Sequence, residues 1–180
     1  CIRDRDGIYL KKIGAESSQQ LVAGKESDRR AFVYNPAWSP DGSMIAYLRR
    51  PKSQPSAKTG SLETELALVD SSGGNKRRLI RLATGRVFYA NSHHLSWSRD
   101  GKRILAPMAD GPRRGIFWIP LDGSEPVQLT DAGQNWEFAP SLSPNGDSFF
   151  FFRTIGSPQP HSEQMVYQAL NQDGTRRGPE

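Results

Sequence analysis

The sequence predicts an all-β protein: a partial β-propeller of four-stranded antiparallel blades. Three observations carry this. Two hairpin motifs alternate along the chain at matched spacing. Turn formers are abundant, with 17 Gly and 13 Pro making up one residue in six of 180. No stretch sustains the 3.6-residue apolar period of a helix.

The first motif reads N-P-A-W-S-P-D-G over Asn35–Gly42, H-L-S-W-S-R-D-G over His94–Gly101 and A-P-S-L-S-P-N-G over Ala139–Gly146. Each copy is a short strand running into a turn. Pro presets φ at the first turn position, Asp or Asn caps the turn, and Gly accepts positive φ. The chain then reverses into an apolar strand such as Ser43–Leu48, which completes a hairpin. The second motif occupies Ile8–Leu21, Leu66–Leu79 and Ile116–Leu129, with a fainter copy from Met165. It too is a hairpin: an apolar strand such as Ile116–Leu121, a turn at Asp122-Gly123-Ser124, and a return through Val127–Thr130. One period therefore holds four short antiparallel strands, a to d.

Four strands in a repeat of roughly 45–50 residues is the arithmetic of a propeller blade. The expected order is a c–d half blade over residues 1–22, then blades over about 35–80, 94–130 and 138–178. The W-S-P-D-G hairpin of Trp38–Gly42, joined to hairpins such as I-F-W-I-P-L-D-G-S-E-P-V-Q-L-T at Ile116–Thr130, resembles the WD40-like (PD40) repeat of the TolB family. The same repeat occurs in propellers attached to prolyl-oligopeptidase-type peptidases. The resemblance runs from Ile8 to about Arg177. In its last copy Leu142 replaces the Trp and Asn145 the Asp. Leu keeps apolar volume and Asn supports the same turn. The resemblance implies a periplasmic or otherwise extracytoplasmic protein-binding role, without excluding the cytoplasm.

Three and a half blades do not close a ring, and closure is what protects propeller edges. The run Phe149–Phe152 points the same way. Side chains alternate across a strand, so four consecutive Phe load both faces of the last blade. One of those faces needs a cover, supplied by further blades or by self-association.

Turns a–b and c–d fall at one end of each blade and are tight. The b–c and d–a connections fall at the other end, and the sequence predicts long loops there: 23–34, 50–63, 81–93, 107–114, 131–137 and 154–164. The first four carry net charges of +1 to +2, the last two −2 and −1. Loops on a rigid scaffold are where binding residues gather. The candidates are Arg86 and Tyr89, His93 and His94 before a strand a, and Asp131, Trp136 and Glu137 in the next d–a loop. An aromatic beside carboxylates suits a basic peptide. Adjacent histidines on extended chain point apart, so His93 and His94 make a poor chelating pair, and no metal site is expected.

The patterns of catalysis are missing. The chain has no G-x-S-x-G elbow, no H-E-x-x-H and no Gly-rich phosphate loop, since Gly73-Gly74 falls in a c–d turn. Asp41 and Asp100 recur with the period of the fold, which marks them as turn caps. No catalytic residue and no cofactor are expected, and the chain is read as a non-enzyme. The formal charge is +5, but the 17 Arg and 7 Lys are scattered among 19 acids, which argues against a nucleic-acid patch. No apolar run reaches the ~20 residues of a membrane span. Cys1 is the sole cysteine. As a first residue it fits an acylated lipoprotein terminus, but it runs directly into strand-like sequence, which favours an arbitrary boundary. The leading expectation is a non-catalytic module that binds a protein or peptide with its long-loop face. The alternatives are the propeller of a larger prolyl-oligopeptidase-type hydrolase, docking or gating its substrate, and the sensor domain of a regulatory protein.

Overall fold

The computed structural model describes residues 2–4, 7–26, 29–51, 64–75, 77–81, 86–88, 95–156 and 162–179. Among them there is no helix. The chain is an all-β partial propeller of antiparallel blades, and it divides into two compact units, Cys1–Val87 and Phe88–Glu180.

The first unit begins with a three-stranded sheet of β1 (Ile2–Asp4), β2 (Gly7–Leu10) and β3 (Gln19–Ala23). The sequence predicts only the hairpin β2–β3. Strand β1 adds a third member by pairing Ile2 with Tyr9. The blade that follows contains β4 (Lys25–Glu26), β5 (Arg29–Trp38), β6 (Met44–Pro51), β7 (Glu65–Asp70) and β8 (Arg77–Arg81), in that order across the sheet. Ile8, Leu21 and Val22 of the first sheet pack with Val33, Ile45, Tyr47 and Val69 of this blade.

A short strand β9 (Arg86–Phe88) comes next. The second unit then holds two blades. One runs β10 (Ser96–Trp97), β11 (Arg103–Asp110), β12 (Arg113–Pro120), β13 (Val127–Gln128). The other runs β14 (Glu137–Leu142), β15 (Ser148–Ile155), β16 (Ser162–Leu170), β17 (Arg176–Arg177). Between them lie Leu105, Ile116, Trp118 and Leu129 of the first and Phe149, Phe151 and Leu170 of the second. Burying a Phe of this kind stabilises by roughly 2–3 kcal/mol. Leu142, at the Trp position of the repeat, packs against this same cluster. The indole N–H of Trp118 donates to the Gly174 carbonyl at 2.8 Å and ties the blades together.

The repeated turns form as their residues dictate. Gly42, Gly101 and Gly146 all have φ near +70° and donate their N–H to Ser39, Ser98 and Ser143 respectively. The Ser39 hydroxyl donates to Asp41 and the Ser98 hydroxyl to Asp100, each at 2.6 Å. In the last copy Asn145 stands at that position, and Asp147, two residues on, accepts from the Ser143 hydroxyl instead. The Ser39 and Ser43 donors hold Asp41 down at about 2. At Asp100 partial burial pushes upward, but the Ser98 hydroxyl and the Lys102 N–H outweigh it and the carboxyl stays lowered. These aspartates are the turn caps the periodicity predicts.

Two of the long loops are not loops. Residues 23–34 fold back as the β4–β5 hairpin, because Ala31 and Val33 bury one face and lengthen strand a. Residues 107–114 continue β11 and β12 to a two-residue turn, Gly111-Pro112. Gly111 takes φ of 59°, and Asp110 and Arg113 pair across the turn. Strand residues also shorten the last connection, since β15 reaches Ile155 and β16 starts at Ser162.

Candidate binding surface

The d–a loop between β13 and β14 is the one predicted long loop described in full. It is rigid. The Asp131 carboxylate accepts from the Gly133 N–H at 2.9 Å, and the Asn135 N–H donates to the Ala132 carbonyl at 2.9 Å. The Ala132 N–H donates to Arg114 at the start of β12. That bond brings the d–a loop and the Gly111-Pro112 turn to one end of the unit. Trp136 is held on both sides by Thr154: its N–H donates to the Thr154 hydroxyl, and its carbonyl accepts from the Thr154 N–H, both at 2.9 Å. The Trp136 side chain stays 46% exposed and Asp131 is exposed beside it.

Glu137 departs from the expectation that it lies on the surface. It is fully buried. One carboxylate oxygen accepts from Arg153 Nε at 2.7 Å and from a second Arg153 nitrogen. The other accepts from the Thr130 hydroxyl, whose oxygen in turn accepts from the Ile116 N–H at 2.8 Å. A buried carboxylate is tolerated only when paired and hydrogen-bonded in this way. Glu137 therefore anchors the loop from beneath, while Trp136 and Asp131 form its outer surface.

Gly115 makes room for this anchor. Its φ is +149°, and a Cβ there would run into the Thr130 carbonyl oxygen. Beside Asp131 lies a groove of about 340 Å³, lined by Val127, Leu129, Thr130, Thr175 and Arg176. Across the same end, Arg113 is exposed and paired with Asp110.

Of the other sequence candidates, Arg86 falls in β9 with its side chain outside the described residues. Tyr89, His93 and His94 lie outside them altogether. So does the Cys1 terminus. Sequence reasoning missed Arg153 and Thr130, the partners that fix Glu137. The repeat held a signal for Arg153. It stands at the position of Arg49 in the earlier blade, and Arg49 pairs at 3.2 Å with another buried carboxylate, Glu65. In the intervening blade the position is Met108, buried without a charge. Among the described residues no group of three His, Cys, Asp or Glu could hold a metal ion, and no helix is long and apolar enough to cross a membrane.

No known family matches the sequence, and no curated protein matches it either. Solved structures do match in fold. An oligogalacturonate lyase in complex with manganese aligns with a TM-score of 0.61 at 14% identity, over 94% of this chain and 44% of the lyase. A dipeptidyl peptidase 4 from Porphyromonas gingivalis aligns with a TM-score of 0.61 at 9% identity, over 97% of this chain and 30% of the peptidase. A chain of a nidogen/laminin complex aligns with a TM-score of 0.53 at 14% identity, over 89% of this chain and 51% of that one. The chain thus spans less than half of the lyase and of the peptidase. At these identities the likeness is one of fold.

Proposed function

We infer that this chain is a non-catalytic β-propeller module that binds a protein or peptide at the end carrying Asp131 and Trp136. One observation carries the reading: an exposed indole is held in a fixed loop above a buried Glu137–Arg153–Thr130 anchor. An aromatic presented without conformational cost is a common centre of binding energy. Asp131 beside it, and the apolar groove at Val127 and Leu129, suit a peptide with a basic and an apolar residue. The reading assigns no chemical step to this chain. The resemblance of its repeats to those of TolB supports an extracytoplasmic setting.

A second reading is the propeller of a larger peptidase, with the same surface docking substrate for a catalytic domain elsewhere. The fold match to a dipeptidyl peptidase, of which this chain spans 30%, favours it over the sensor alternative. Both readings share one test. A panel of synthetic peptides graded from acidic to basic is titrated against the protein by calorimetry. Basic, apolar peptides are expected to bind, and Trp136→Ala to weaken them at least about tenfold with the circular dichroism unchanged. Binding indifferent to Trp136→Ala, or no binding by any peptide, overturns the assignment.

A further inference from the structure

The four consecutive Phe of β15 divide by face. Phe149 and Phe151 are fully buried between the two blades of the second unit, while Phe150 and Phe152 are 41% and 38% exposed. Strand pairing puts Tyr167 opposite Phe150, and Met165 and Phe138 opposite Phe152. Tyr167 and Met165 are also exposed, and the rings of Phe138 and Phe152 stack at 5.7 Å. The result is a contiguous apolar face on β14–β16.

The preceding blade shows what such a face requires. Counted from the turn glycines Gly101 and Gly146, Phe150 and Phe152 occupy the positions of Leu105 and Pro107. The registers of β11–β12 and β15–β16 then make Tyr167 and Met165 the equivalents of Trp118 and Ile116. All four residues of the earlier blade are buried, covered by the sheet that follows. The same positions in the last blade carry larger aromatic groups and have no sheet over them among the described residues.

Charge narrows the choice of cover. On β16 the apolar row runs Met165–Tyr167, with Glu163 on the same face two residues before it. At the far end Ala169 pairs with Arg177, which also acts on the Asp147 carboxylate. The row is therefore acidic at one end and basic at the other, and its centre lies midway. We propose that a second copy of this chain covers this face through a two-fold axis in the sheet plane, perpendicular to the strands. That operator lays aromatic on aromatic and puts each Glu163 over the partner copy's basic end, giving two equivalent ion pairs. Head-to-tail addition through the first sheet has no such match. Its outer face presents Tyr9 and Gln20, already hydrogen-bonded to each other at 2.8 Å.

Light scattering on the 180-residue chain over a concentration series tests this. Twice the monomer mass is expected at the upper end. Tyr167→Asp alters an exposed position, so it is expected to give a folded monomer, with association weakened at least tenfold. Glu163→Arg is expected to weaken the dimer, and adding Arg177→Glu to restore it. A monomer at every concentration overturns the proposal. If that monomer binds a hydrophobic dye, the face belongs to another blade or another protein. A dimer indifferent to Tyr167→Asp and to the charge exchange overturns it as well.

Discussion

The two ends of the second unit are built from the same strands and behave differently. At one end every turn repeats. Ser98–Gly101, Ser143–Gly146 and Asn171–Gly174 are hydrogen-bonded within themselves, and Asp122 and Asp173 each accept from a backbone N–H two residues on. The larger cavity of the unit, about 420 Å³, lies here. Its walls serve the fold: Arg103 stacks on Trp118 at 5.0 Å and donates to the Asp173 carbonyl at 2.7 Å. At the other end the connections differ from blade to blade, and a buried ion pair supports one exposed Trp. Cavity size alone points to the wrong end. Departure from the repeat is the better guide, because a residue copied with every blade serves the blade.

The largest test of this contrast is Glu137→Gln. It leaves the Arg153 guanidinium buried without its counter-charge, and is expected to destabilise folding by about 3–5 kcal/mol in urea melts. A cost below 1 kcal/mol would mean that the pair does not hold the loop. Gly115→Ala comes next. The Cβ meets the Thr130 carbonyl in a backbone region that favours glycine, and a loss of about 2–3 kcal/mol is expected in the same measurement. Asp100→Ala removes one cap from the repeated end and is expected to cost only about 1 kcal/mol.

Acid titration separates the ends further. Asp41, Asp100, Asp122, Asp147 and Asp173 all have lowered carboxyls, so their contribution is present above the unfolded value near 3.8 and is lost as pH falls through the folded one, about 2 at Asp41. Stability should therefore decline from about pH 4 downward, and exchanging these residues for Asn should flatten the decline. A slope unchanged in such variants would remove the caps from the account. Smallest of all is Trp136→Ala, expected to shift stability by less than about 0.5 kcal/mol. A larger shift would show that this indole packs the fold and is not reserved for a partner.

The blades were legible because each hairpin is local. A turn needs Asp and Gly at adjacent positions, and a strand needs alternation, so Asn35–Gly42 and Ile116–Leu129 carry their own instructions. The loop Asp131–Trp136 was legible as a break between such instructions. The anchor beneath it was not. Glu137 finds Arg153 across β14–β15 and Thr130 across the blade boundary, and neither contact has a fixed sequence spacing. Arg49 and Glu65 show the difficulty from the other side. The equivalent arginine meets its acid on the following strand, where Arg153 meets its acid on the preceding one. Expected loop lengths also failed where strand pairing extended past the apolar core, as at Arg29–Tyr34.

Strands β5 and β14 carry the same irregularity. Asn35 and Ala139 take φ of 53° and 52°, each is followed by Pro, and the ladder shifts register there. In the last blade β14 is an outer strand, and β17 on the opposite margin has only two residues. A kinked margin lacking the Pro140 N–H, facing a margin too short to template, gives an incoming chain little to hydrogen-bond to. A protein with so much exposed aromatic surface is thereby steered away from fibril growth, and its sticking together stops at a finite particle.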